Sequence, residues 1–130
     1  MNEIEAGNLL SEIGGMVVRE ASLEDASALL YAEVEDGVVS TAIFRERSDF
    51  VEYLYSSHDL AMRVLDFWYK AVEGKKWAAL LLTTDGKKFD VRFQYPEDWG
   101  DDDEVERREK MLLEKFGNKK VQYPSIQDFV

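Results

Sequence analysis

His58 is the only histidine in the chain and the first residue to weigh for acid–base chemistry. A catalytic imidazole needs an orienting carboxylate and a nucleophile or substrate within reach. His58 instead opens a helical pattern beside Ser56, Ser57 and Asp59, where short side chains cap free backbone N–H groups. One histidine and no cysteine leave no imidazole or thiolate metal cluster, no thiolate nucleophile and no disulfide. The serines, threonines, paired carboxylates and Lys75-Lys76 form no phosphate-cradling or nucleophile set. For a small enzyme, Glu33, His58 and Arg63 would have to meet in one deep pocket. The expectation is a protein that is not an enzyme, with no cofactor and no metal.

The densest charge block is Glu97-Asp98-Trp99-Gly100-Asp101-Asp102-Asp103-Glu104. A calcium loop needs acids at alternate positions, a central glycine and a glutamate at its twelfth position. Counted from Asp98, the glycine comes too early, and Glu109 falls after a helix has begun. Acids at a helix N-terminus are stabilised by the backbone dipole, by about 0.3–1 kcal/mol each. The run exceeds what capping requires, and it encloses a tryptophan. An aromatic ringed by carboxylates has the composition of a binding anchor with a polar rim. The candidate partner-binding residues are therefore Glu97, Asp98, Trp99, Asp101, Asp102, Asp103 and Glu104. Asp59 and Asp66, on the charged face of a central helix, come second.

Sixteen basic and 27 acidic residues give a net charge of −11. That field repels phosphate backbones and anionic lipid and attracts basic surfaces. Direct nucleic-acid binding is not expected, and Phe93-x-Tyr95, which could stack on RNA, lacks basic surroundings. No apolar run approaches the roughly 20 residues of a membrane span. Met1-Asn2-Glu3-Ile4-Glu5 is acidic and does not read as a secretory signal. The expected location is the cytoplasm.

These residues must be positioned by a single domain spanning 1–130. Residues 2–13 read as a helix, with Ile4, Leu9, Leu10 and Ile13 on one face and Gly14-Gly15 as its stop. Ser22-Leu23-Glu24-Asp25 resembles a capping box and suggests a short turn. Ala28, Leu30, Ala32 and Val34 alternate with Leu29, Tyr31 and Glu33 as a strand. Asp36-Gly37 turns the chain into a return strand at 38–45. Residues 57–73 form the strongest helix, capped by Ser56, striped by Leu60, Val64, Phe67, Trp68 and Ala71, and ended by Gly74. Trp77 to Thr83 reads as an inner strand, and Asp85-Gly86 turns it back into Phe89, Val91, Phe93 and Tyr95. Pro96 closes that strand. Residues 104–116 form a last helix facing inward through Val105, Leu112 and Phe116. Residues 118–130 follow as an extended C-terminal tail. The predicted fold is α+β in the order α-β-β-α-β-β-α: a four-stranded antiparallel sheet of two hairpins, with helices packed on one face.

The second hairpin carries a resemblance. Trp77-Ala78-Ala79-Leu80-Leu81-Leu82, Asp85-Gly86 and Phe89-Asp90-Val91-Arg92-Phe93-Gln94-Tyr95 resemble the YezG-like family, a domain of unknown function. Tyr31-Ala32-Glu33-Val34 is similar to that family's first strand. Arg107, ten residues before Gly117, is similar to its final helix. Met111 and Glu114-Lys115 depart from the pattern, so the likeness is to a divergent member. The resemblance implies a bacterial immunity protein of a contact-dependent or polymorphic toxin system. Such a protein is cytoplasmic and neutralises the C-terminal domain of its cognate toxin, often a nuclease. A nuclease is basic where it meets its substrate, so an acidic inhibitor is complementary to it. The alternative is an acidic nucleic-acid mimic, or another small protein-binding regulator.

Overall fold

The computed structural model describes residues 1–22, 27–71 and 75–124. Along the chain run α1 (Glu3–Glu20), β1 (Ala28–Glu35), β2 (Val38–Glu46), β3 (Phe50–Leu54), α2 (His58–Tyr69), β4 (Ala79–Thr84), β5 (Phe89–Gln94), a 3-10 turn (Pro96–Asp98), α3 (Glu104–Phe116) and β6 (Lys120–Gln122). Asp36 and Gly37 have φ of 53° and 78°, the left-handed pair that a two-residue hairpin needs. They set β1 against β2 with Glu35 opposite Val38. At the second hairpin, the Asp85 carboxylate accepts the N–H groups of Lys87 and Lys88, each at 2.9 Å. β4 and β5 then pair with Thr84 opposite Phe89.

The sheet differs from the four antiparallel strands expected. Among the described residues it has six strands, in the order β5-β4-β1-β2-β3-β6. The pairing of β3 with β6 is parallel, so the sheet is mixed. β3 is short, and β6 has only three residues in what reads as tail. Neither forms a stable strand until a neighbour satisfies its backbone. The rest of the predicted tail beyond Pro124 lies outside the described residues.

The helices also cover both faces of the sheet. On one face, Ile13 and Val17 of α1 and Leu60, Val64 and Phe67 of α2 pack on Leu30, Ala32, Ile43, Leu80 and Leu82. On the other, Met111 and Phe116 of α3 pack on Leu29, Tyr31, Ala42, Phe44, Val51 and Leu81. β1 and β4 are central and apolar on both sides, so a single helical layer would leave one side wet. In α3 the inward residues include Met111, whereas Val105 is exposed.

Two local expectations are corrected. α1 continues through Gly14-Gly15 to Glu20. A Cβ on Gly14 would lie 2.7 Å from the Phe89 ring, so this glycine serves a close approach rather than a stop. Ser57, not Ser56, caps α2, accepting the Leu60 N–H at 3.1 Å; Ser56 instead hydrogen-bonds Thr41 through its hydroxyl. The capping-box turn after Ser22 and the stop at Gly74 lie outside the described residues. No helix among the described residues is long and apolar enough to cross a membrane.

Candidate functional site

The acidic run joins β5 to α3 and is tied down at several points. The Asp98 carboxylate accepts the Tyr95 N–H at 2.8 Å and closes the 3-10 turn. Asp103 is the N-cap of α3, accepting the Glu106 N–H at 2.8 Å. Asp102 is drawn to Lys110 at 2.5 Å. Glu97, Asp101 and Glu104 remain exposed, and among the described residues no hydrogen bond or ion pair turns them inward. Acidic side chains therefore gather where the helix dipole favours them, and part of the run is used up in building the loop.

Trp99 is the anchor of this loop, but it is turned toward the core. Its ring packs against the second hydrophobic cluster, and its indole N–H donates to Gln94 Oε1 at 3.0 Å. The Arg107 guanidinium lies over the ring, 3.9 Å from its centre. Such a cation–π contact contributes about 0.5–2 kcal/mol, depending on desolvation. Trp99 thus holds the run in place while Glu97, Asp101 and Glu104 face water.

Arg107 itself is fixed by a bidentate fork on Glu33, with Nε at 3.1 Å and Nη2 at 2.8 Å. Its Nη1 donates to the Asp102 carbonyl at 2.8 Å. The Tyr31 hydroxyl donates to the same Glu33 carboxylate. Both ion-pair side chains are largely buried, at 14% and 12% exposure. Burial, reinforced by the neighbouring Glu33 carboxylate, pushes the Tyr31 phenol well above its ordinary range. Tyr31 therefore stays a donor through all physiological pH. None of Tyr31, Glu33, Gln94 and Arg107 was among the candidate binding residues; Tyr31, Glu33 and Arg107 entered the family resemblance only as marks of its first strand and final helix. One signal was present: Glu33 interrupts an otherwise apolar inner strand, and a charge there needs a partner.

The other predicted residues do not join the loop. Asp59 sits in the first turn of α2, and Asp66 pairs with Lys70 at 3.5 Å. α2 packs on the sheet face opposite α3, so these two acids belong to a separate surface. Glu33, His58 and Arg63 are not brought together either. Glu33 is held under α3, His58 begins α2, and Arg63 bonds Glu12 of α1 at 2.9 Å. Among the described residues, no three His, Cys, Asp or Glu side chains converge as a group that could hold a metal ion.

A broad open depression of about 1080 Å³ lies beside β3 and β6, lined by Glu46, Arg47, Glu52, Lys87 and Lys119 among others. Two of its acids, Glu46 and Glu52, are already paired with cations. Glu52 takes Arg45 at 2.9 Å and Arg47 at 3.1 Å, and Glu46 takes Lys119 at 3.0 Å. Burial pushes both carboxyls up, but the hydrogen bonds from these cations outweigh it and hold both below the usual range. A depressed folded-state pKa adds stability that is complete above the unfolded pKa and lost as pH falls through the folded value. Glu52→Gln is therefore expected to cost roughly 1 kcal/mol at neutral pH, allowing for solvent screening. That deficit should begin to close as pH falls below the unfolded carboxyl value of about 4.3 and vanish only once pH is below the depressed folded value, where the wild-type carboxyl is neutral too. Thermal unfolding of both proteins across this range measures it; a deficit that is constant with pH would contradict the assignment.

No family model matches the chain, and no curated protein matches it in sequence.

Proposed function

We propose that this protein is an immunity protein, resembling the YezG-like family, that binds and neutralises the C-terminal domain of a cognate bacterial toxin. The observation that carries the reading is the acidic loop: exposed carboxylates on a segment pinned to the core through Trp99, Arg107 and Glu33. A charged surface that is already rigid loses little entropy on binding. A net charge of −11 adds a field that draws in a basic partner and repels an acidic one. The partner that fits is a positively charged protein, and a nuclease domain has that character where it meets its substrate. The expected place of action is the cytoplasm, where the toxin would do its damage.

The loop's free carboxylates are Glu97, Asp101 and Glu104, so they are the ones to neutralise; Asp98, Asp102 and Asp103 also build the loop. The triple variant Glu97→Gln, Asp101→Asn, Glu104→Gln is expected to keep its fold. Its association with the toxin domain encoded beside this gene should slow roughly tenfold at low salt, with much of the difference gone at high salt. Stopped-flow mixing and isothermal titration read both effects. If the wild-type chain gives no heat and no complex with that domain, the proposal fails.

A further inference from the structure

The two edges of the sheet are unequal. β6 has three residues and is followed two positions later by Pro124, which cannot donate to a ladder. Short edges and prolines are the usual protection against strand addition. β5 has six residues; Pro96 follows it by two positions just as Pro124 follows β6, so the edges differ in length, and among the described residues no strand pairs with its outer side. Its polarity is readable. The carbonyls of Asp90 and Gln94 face the β4 side, where Thr83 Oγ1 and the Ala78 N–H donate to them at 3.4 and 2.7 Å. Backbone groups of successive strand residues point to opposite sides. Those of Phe89, Val91 and Phe93 therefore point outward.

We infer that β5 is a self-recognition edge, on which a second copy of this chain adds its own β5 antiparallel about a two-fold axis at Val91. In that register Val91 faces Val91 of the other copy, and their outward N–H and C=O groups exchange both bonds. Asp90 of each copy then lies opposite Arg92 of the other, twice, on the α3 side of the sheet. Phe89 lies opposite Phe93 on the side of α1 and α2. Lys88 lies opposite Gln94. No like charges meet along the paired segment, which a strand carrying both signs achieves only in particular registers. Arg92 is available for this: its present partner is Glu114 at 3.3 Å, with both side chains more than half exposed, a contact of small value. Phe89, 40% exposed in the single copy, is the apolar residue that pairing would cover. The product is an isologous dimer with one sheet running through both copies.

This interface is distinct from the toxin-facing reading, and salt separates the two. Two copies of charge −11 repel at long range, so added salt should strengthen the dimer, whereas it should weaken an acidic–basic complex. Sedimentation velocity on the full chain, over a concentration series at low and high salt, should show a species of twice 15.0 kDa that grows with both. Arg92→Asp places like charges opposite each other at both pairs. It should weaken the dimer roughly tenfold or more while leaving the circular dichroism unchanged. The double variant Asp90→Arg, Arg92→Asp restores opposite charges and should restore the dimer. A wild-type chain that stays monomeric throughout, or a dimer indifferent to Arg92→Asp, would overturn the inference.

Discussion

Arg107→Ala is expected to lower the stability of the folded chain by about 3–5 kcal/mol, the usual cost of breaking a buried ion pair from one side. The loss has two sources. Glu33 would keep a charge in a largely buried position with only the Tyr31 hydroxyl to satisfy it. Trp99 would lose the cation lying over its ring. For a chain of this length, that corresponds to a fall in Tm of roughly 10–20 °C. Arg107→Lys should recover little, because an ammonium cannot fork both Glu33 oxygens while also reaching the Asp102 carbonyl. Replacing both partners, Glu33→Met with Arg107→Met, should recover much of the loss, since no charge is then stranded. Urea denaturation of the four proteins is the measurement. A cost below about 1 kcal/mol for Arg107→Ala would mean that this pair behaves as a surface bridge and does not hold the loop.

Phe44→Ala should cost about 3–5 kcal/mol as well, by a different route: lost burial plus a cavity. Phe44 is fully buried in β2 and meets the edge of Tyr53, with ring centres 5.5 Å apart. It lies in the core beneath α3. Val105→Ala, on the exposed side of that helix, should fall within about 0.5 kcal/mol of wild type. The contrast tests the two-faced sheet directly. In a sheet covered by helices on only one side, Phe44 would share an open face and its truncation would be cheap. Equal, small effects for Phe44→Ala and Val105→Ala would be incompatible with α3 packing where it does.

Much of the local structure was legible because its causes are local. Asp36-Gly37 is a turn wherever it occurs between two alternating strands. The acidic run before the last helical pattern reads as the acid-rich start of a helix, and Asp103 does cap α3 there. The errors came where a distant group changed the balance. Gly14 looks like a helix breaker until Phe89 is placed against it. Ser56 and Ser57 are equivalent caps by type; Thr41, on a neighbouring strand, engages the first. At the acidic run, residue types indicated a charged surface with an aromatic centre. They did not tell that Trp99 faces inward, because that depends on Arg107 reaching Glu33, 74 residues earlier in the chain.

By itself, then, the sequence determined that this is a negatively charged α+β chain with two Asp-Gly hairpins, a capped central helix and a carboxylate run before the last helix. Each of these follows from side-chain periodicity, backbone preference or charge within a few residues. Only the tertiary structure decided that the sheet has six strands among the described residues, that β6 runs parallel to β3, and that α3 covers the face opposite α1 and α2. It also decided which carboxylates of the run stay free. Short strands and buried charges have no favourable state of their own. They become stable only when a partner far along the chain supplies the missing hydrogen bonds, and neither composition nor spacing says which partner that is.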